Sequence, residues 1–369
     1  MTKILILANH FITLYAFRRE FIDELLSNGY EVYLALPPSE ENIYFSDKGC
    51  KVVETPIDRR GTNPLSDIKL FFQYTKVMKA VNPDLVLTYT IKPNTYGGLA
   101  SRLCKIKVLH TVTGLGSIYI RNMWQRKIAI NLNRLAFKNA ETVIFLNEDN
   151  KNFYENLKII EQNQNTLIVP GSGVNLNHFK YIQQDIENPI TFTFVGRILK
   201  DKGIDEYLKA AKELVSKYNN VIFEVIGFVD EDKYINLLKQ YEKNGIINYL
   251  GKRNDIPELM AKSSCIVLPS YGEGRGTVLQ EGAAIGRPLI TTDTYGCREN
   301  VEDGYNGYLC DVADAESLTN AMERFINLSK AEKDLMGKRS REKAEREFDR
   351  EIVMSAYLDK VENIIKEKG

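Results

Sequence analysis

Cysteine is scarce and unpatterned in this sequence: Cys50, Cys104, Cys265, Cys297 and Cys310 make an odd number with no CxxC pair. That argues against a structural zinc site or a disulfide framework and favours a reducing compartment. Long hydrophobic runs are missing too, since no stretch approaches the ~18 apolar residues of a membrane-spanning helix. The opening Met1-Thr2-Lys3, followed by Ile4 to Ala8, is too short and too soon interrupted for a signal peptide. The expected location is therefore the cytoplasm. Net charge is absent, with 49 Lys plus Arg against 49 Asp plus Glu. No global field draws the chain to a polyanion and no reading module for nucleic acid is present, so no nucleic-acid partner is expected. A composition of 44% hydrophobic and 27% charged residues excludes a disordered or fibrous chain.

One absence is local. From Leu85 to Ala140 there is no Asp or Glu over 56 residues, while nine Lys and Arg fall in the same window. Residues 1–180 carry 22 cations against 16 acids, and residues 181–369 carry 27 against 33. Neutrality is thus the sum of a basic front half and an acidic back half. Within the acid-free window, Ile118 to Lys127 sets Arg121, Arg126 and Lys127 among bulky apolar residues and Trp124, the one tryptophan. Such a mix suits an anionic membrane surface. A solvated basic helix with its apolar side on the core is the competing account, and an anionic, lipid-linked ligand is another.

What is present is an alternation of short β-rich runs with amphipathic stretches. Strand-like runs lie at 3–8, 31–36, 51–54, 84–90, 107–112, 142–147 and 166–170, then at 190–195, 221–226, 247–250, 265–269 and 288–292. A helix is expected over 14–28, with Phe17, Phe21, Ile22, Leu25 and Leu26 on one face and Gly29 closing it. This order argues for βαβ units and parallel sheets. The alternation pauses over 175–189, which reads as the joint between two doubly wound α/β domains, 1–180 and 188–349. The last ~55 residues read as helical, with Ile352, Val353, Ala356, Tyr357, Val361 and Ile364 at apolar spacing.

Three segments at strand ends carry the chemistry. Phe194-Val195-Gly196-Arg197 ends a strand and Lys202-Gly203 precedes the next helix. A Gly at that end lets a ligand approach the backbone, with Arg197 offering a planar fork and Lys202 a mobile charge to a diphosphate. Next, Cys265 to Ser270 runs into Tyr271-Gly272-Glu273-Gly274-Arg275-Gly276, and a helix follows through Glu281. The amides of Gly274, Arg275, Gly276 and Thr277 would then face a phosphate, with Glu281 about two turns inside the helix. Last, Thr291 to Glu299 forms a polar, Gly-containing loop after the strand from Pro288.

Taken together, Gly196-Arg197 with Lys202-Gly203, Leu268-Pro269-Ser270, Glu273-x7-Glu281, Gly286-Arg287-Pro288 and Gly296-Cys297-Arg298-Glu299 resemble the donor-binding half of glycosyltransferase family 4. The front half is similar to bacterial members that build capsule, O-antigen and lipid-linked oligosaccharides. The stretches that carry this likeness are Asn9 to Arg18, Gly114 to Tyr119, and Gly171 to Phe179. The resemblance implies a GT-B fold, two Rossmann-like domains facing across a cleft with a C-terminal helix, about 350–369, crossing back to the first. It also implies a retaining, metal-independent transfer of a sugar, here an N-acetylhexosamine, from a UDP-sugar to a polyprenyl-diphosphate-linked saccharide. Such an enzyme would sit peripherally on the inner face of the cell membrane.

By motif position, the resemblance gives Arg197 and Lys202 to the diphosphate, Glu281 to the ribose and Arg253 to the base. Glu273 and the amides of Gly274, Arg275, Gly276 and Thr277 would hold the donor sugar and the departing phosphate. No metal or other cofactor is expected, because Asp230-Glu231-Asp232, the nearest DxD-like triplet, reads as acids at a helix N-terminus. Two features depart from the family. Asn9-His10-Phe11 stands where many relatives have a paired-Gly loop, and Thr113 stands where many have a strand-end His. His110, three residues earlier, is then either a buried structural histidine or a catalytic one. The acceptor-side candidates are Asn9, His10, Thr113, Gly114 and Tyr119. Two alternatives share the architecture: a sugar-nucleotide epimerase, whose additional His and acidic residues are not found, and a non-catalytic nucleotide-sugar-binding partner.

Overall fold

A computed structural model of the chain describes residues 1–59, 61, 63–115, 123–183 and 189–366. The chain divides into two compact units, one of Met1–Ser172 with Met354–Gly369 and one of Gly173–Val353.

The first unit holds a seven-stranded sheet of β1 (Lys3–Leu7), β2 (Glu31–Leu36), β3 (Lys51–Glu54), β4 (Leu85–Tyr89), β5 (Lys107–Val112), β6 (Thr142–Phe145) and β7 (Thr166–Ile168). Its order is β3-β2-β1-β4-β5-β6-β7 and every pairing is parallel. The central strands are apolar along nearly their whole length because helices cover both faces, and all five residues of β4 are buried.

The second unit repeats the plan with β8 (Ile190–Val195), β9 (Val221–Ile226), β10 (Asn248–Gly251), β11 (Cys265–Leu268), β12 (Leu289–Thr292) and β13 (Gly307–Cys310). These are parallel in the order β10-β9-β8-β11-β12-β13. The strand order reverses between β1 and β4 in one unit and between β8 and β11 in the other. Ligands of open α/β sheets bind beyond the strands' carboxyl ends at such reversals.

Three local expectations need correction. The helix expected over 14–28 is two helices, Phe11–Tyr15 and Arg19–Ser27. The break lets Arg18 turn inward, where its guanidinium lies 5.0 Å from the Tyr89 ring centre and 4.9 Å from that of Tyr357. Phe17 is left exposed. Ile352, grouped with the apolar face of the last helix (Arg350–Lys366), is exposed, whereas Val353, Tyr357, Val361 and Ile364 are buried. The short strand β13 was not foreseen; its run, Gly307-Tyr308-Leu309-Cys310, opens on a glycine and holds no β-branched residue.

Residues from 173 on, ahead of the pause read as a joint, pack with the second unit. Val174 pairs with Phe348 and Arg350 through backbone hydrogen bonds, and Phe179 is buried in that unit's core. All five cysteines are free, four of them buried. Among the described residues no helix is long and apolar enough to cross a membrane.

Candidate functional site

The loops after β8 and β11 are laced together, and the lacing sets the charged residues. Gly203 has φ +72°, and a Cβ there would lie 1.9 Å from the Pro269 carbonyl oxygen. Only glycine allows so close a pass. Beside it, the Tyr271 amide donates to the Asp201 carbonyl at 2.9 Å and the Ser270 hydroxyl to the same oxygen at 3.0 Å. The result brings Lys202 Nζ onto Glu273 Oε1 as a largely buried ion pair. Arg197, at the end of β8, is half exposed and pairs with Asp230 at 2.9 Å. Gly227 lets the two strand ends approach there, since a Cβ on it would meet the Gly196 carbonyl oxygen at 1.7 Å.

The Gly-rich loop is held from the β12 side. Glu273 N donates to the Tyr295 carbonyl at 3.1 Å, and a Cβ on Gly296 (φ +73°) would lie 2.1 Å from the Glu273 carbonyl oxygen. Asn300, fully buried, donates from Nδ2 to the carbonyls of Arg275, Gly296 and Cys297 at 3.0–3.1 Å. Glu299 Oε1 accepts from Gly296 N at 3.2 Å, so this acid staples its own loop. Helix Thr277–Ile285 then begins from Gly276 with no side-chain cap and no acid in its first turn. Such a terminus keeps its positive end available to an anion.

Glu281 lies on that helix. Desolvation pushes its carboxyl up to about 7, against the downward pull of the Arg350 charge. Arg275 in the loop is depressed by desolvation, with Glu299 and Glu347 favouring its charged form. Arg253 stands apart from this group, just past edge strand β10, and is chelated by Asp255 at 2.6 and 2.8 Å. Two acids of the triplet are paired with cations: Asp230 with Arg197, and Glu231 with Lys233 at 3.0 Å.

In the first unit, His10 Nδ1 accepts from Ile12 N at 3.1 Å and caps the helix that follows, while Asn9 Oδ1 accepts from the Thr13 hydroxyl at 3.2 Å. Burial lowers the His10 pKa, with Arg59 adding to the shift. Thr113 and Gly114 follow the end of β5 and are half-buried. Tyr119 and Arg121 lie outside the described residues. His110 is wholly buried, with Nδ1 2.7 Å from the Thr88 hydroxyl and Nε2 3.3 Å from the Ala136 carbonyl. Its ring stacks on Phe137 at 4.3 Å, and desolvation pushes its pKa down to about 4. That neutral ring serves the core.

The sequence motifs located the charged residues but missed those that hold them. Arg350 lies outside every motif, and Asn300 falls just past the 291–299 loop, with one of its carbonyl partners, Arg275, 25 residues away.

Comparison with known proteins completes the picture. Residues 177–343 match the family described as "Glycosyl transferases group 1", and residues 3–147 match "Glycosyl transferase 4-like". A Campylobacter jejuni relative, N,N'-diacetylbacillosaminyl-diphospho-undecaprenol alpha-1,3-N-acetylgalactosaminyltransferase, is 30% identical over 371 residues, covering 96% of each chain. An Escherichia coli relative, UDP-Gal:alpha-D-GlcNAc-diphosphoundecaprenol alpha-1,3-galactosyltransferase, is 26% identical over 82% of this chain and 81% of its own. Among solved structures, Anabaena Alr3699/HepE in complex with UDP superposes with a TM-score of 0.80 at 20% identity, covering 98% of this chain and all of that one.

Proposed function

Because the chain belongs to glycosyltransferase family 4, with the GT-B fold, we propose that it transfers a sugar from a UDP donor to a polyprenyl-diphosphate-linked saccharide. The transfer retains anomeric configuration and needs no metal, and the donated sugar is an N-acetylhexosamine. The observation that carries the reading is the Lys202–Glu273 pair beside the uncapped start of helix Thr277–Ile285. The leaving group is a nucleoside diphosphate, whose charge grows as the glycosidic bond breaks. Lys202, Arg197 and the helix N-terminus supply fixed positive charge where that anion forms. Two of the three acids that could hold a cation, Asp230 and Glu231, are already paired with Arg197 and Lys233. Glu273 holds Lys202 in place and faces the donor sugar, while Glu281 accepts from the ribose hydroxyls. Arg253 meets the base, and Asn9, His10, Thr113 and Gly114 face the acceptor. The names of the Campylobacter and Escherichia relatives, both of which act on undecaprenol-diphosphate sugars, support the acceptor class; the proposed place of work is the inner face of the cell membrane.

The test is nucleotide release from a panel of UDP-sugars, with and without a lipid-diphosphate-sugar acceptor. UDP appears only when both substrates are present. A changed sugar nucleotide without acceptor would make the protein an epimerase, and binding without turnover would make it a non-catalytic partner.

Glu281 gives this reading a pH signature. Its folded pKa is raised, so the stability its protonated form contributes is full below the unfolded value and falls away as pH climbs from there through about 7. Only the carboxylate form accepts both ribose hydroxyls. The donor KM therefore falls about tenfold from pH 6 to pH 8, and Glu281→Gln flattens that profile.

The basic segment gives a second expectation. Arg121, Arg126 and Lys127 hold the protein on anionic lipid, at roughly 1 kcal/mol per cation. Changing all three to Glu weakens binding to phosphatidylglycerol vesicles by about tenfold or more, and salt weakens the wild type in the same direction. Unchanged vesicle binding by the triple variant would remove the electrostatic contribution.

A further inference from the structure

Within the first unit, helices Pro64–Val81 and Met123–Phe137 and the segment 91–99 wall a groove of about 570 Å³. That volume falls within the ~300–1,000 Å³ of small-ligand sites. Its apolar wall is built by Ile68, Phe71, Ile91, Leu99, Ile128 and Leu132. The polar groups of its floor are turned on one another. Asp67 accepts from Lys92 Nζ at 2.7 Å and from the Tyr96 hydroxyl at 2.9 Å. Thr95 donates to Asn133 Oδ1 at 3.1 Å, and Asn133 Nδ2 donates to the Ala129 carbonyl at 2.9 Å. A floor so satisfied favours an apolar occupant, because a polar one would give up water for few new hydrogen bonds.

The rim has a different character. Leu65, Phe72 and Trp124, each next in sequence to a lining residue, leave apolar surface exposed at 75%, 62% and 76% of their areas. Arg126 and Lys127 stand on the same helix as Ile128, inside the 56-residue window that contains no acid. An occupant matched to these features has an apolar chain and an anionic head. A second copy of this protein is a poor match, since a symmetric contact would set the basic rims against each other.

We propose that the groove takes the isoprenoid chain of the acceptor next to its diphosphate, a site that rests on the lipid-linked acceptor of the preceding section. The chain lies along the Ile68–Ile128 walls, and the rim cations face the diphosphate. Acceptor recognition then includes the lipid itself as well as the saccharide.

Trp124, the one tryptophan, reports binding directly. Farnesyl diphosphate, titrated below its micellar concentration, changes the Trp124 fluorescence, and inorganic diphosphate does not. The double variant Ile68→Glu, Ile128→Glu alters two side chains that are already more than half exposed, so it folds, as circular dichroism checks. It weakens farnesyl diphosphate binding by about tenfold or more, because a carboxylate in the groove opposes both chain and head. In transfer assays it raises KM about tenfold for a long-prenyl acceptor, and less than twofold for a short-alkyl acceptor with the same head. Equal responses to farnesyl diphosphate and inorganic diphosphate would overturn the groove, as would equal KM changes for the two acceptors. Loss of vesicle binding in step with both acceptors would give Ile68 and Ile128 to the membrane contact of Arg126 and Lys127 and overturn the groove. Wild-type transfer that ignores chain length overturns this inference alone. Transfer to neither acceptor overturns the transfer reading and the groove's occupant with it.

Discussion

Lys202→Met lowers kcat/KM by about 10²–10³, the cost of removing one fixed charge or donor aimed at developing negative charge in a dry site. The ammonium group is held by Glu273 in a largely buried pair, so its position is set before the substrate arrives. Preorganisation of this kind matters more in the transition state than in the bound donor, whose diphosphate carries less charge on the bridging oxygen. The affinity for the UDP-sugar donor should therefore fall less than kcat/KM, by about tenfold, comparable to one charged hydrogen bond. Lys202→Arg restores part of the rate because it keeps the charge in a different shape. Glu273→Gln lowers the rate too, since it frees the ammonium group and removes a carboxylate facing the sugar. Steady-state kinetics beside UDP-sugar titration separate these effects, and a Lys202→Met enzyme of near wild-type rate would contradict the assignment.

Arg287→Met is expected to act on stability. This guanidinium is fully buried, and every hydrogen bond it makes goes to a backbone carbonyl: Met260 at 3.3 Å, Ala261 at 2.8 Å, Ile182 at 3.1 Å and Gly286 at 3.2 Å. Met260 and Ala261 lie in the last turn of helix Ile256–Lys262, and Gly286 closes helix Thr277–Ile285. Helix ends leave carbonyls without intrahelical partners, and here one cation serves two of them while complementing both dipoles. Desolvation pushes its pKa down to about 10, which leaves it charged at neutral pH. Methionine fills similar space but strands buried carbonyls, at about 3–5 kcal/mol. For a unit of this size that lowers the melting temperature by about 10 °C. Urea unfolding checks it: the midpoint falls with little change in slope. An unshifted midpoint would show that these carbonyls find water instead.

The contrast between these two residues shows what was legible in the sequence. Lys202 and Glu273 announced themselves by position, each beside a glycine at a strand's end. Arg287 belongs to a motif that looks functional in the sequence, Gly286-Arg287-Pro288, yet its side chain points into the core. A guanidinium on a local motif has the same spelling whether it meets a ligand or a helix end. The strand runs were readable because buried parallel strands are apolar on both faces, as in β4 and β11. The single helix expected over 14–28 failed because the inward turn of Arg18 depends on Tyr89 and Tyr357, 71 and 339 residues away along the chain. The role of Asn300 was hidden for a similar reason: the carbonyls of Gly296 and Cys297 are its near neighbours in sequence, but that of Arg275, in the other loop, is 25 residues away. The apolar groove was foreshadowed only by the charge pattern, since its facing walls carry Ile68 and Ile128, 60 residues apart along the chain.

The central claim is that protein charges alone stabilise the departing nucleoside diphosphate. Its most direct test is the initial rate of acceptor-dependent UDP release in excess EDTA, measured beside the rate with added magnesium or manganese. The account predicts equal rates. A rate abolished by EDTA and restored by the metal would contradict it, and would return Asp230, Glu231 and Asp232 to consideration as metal ligands.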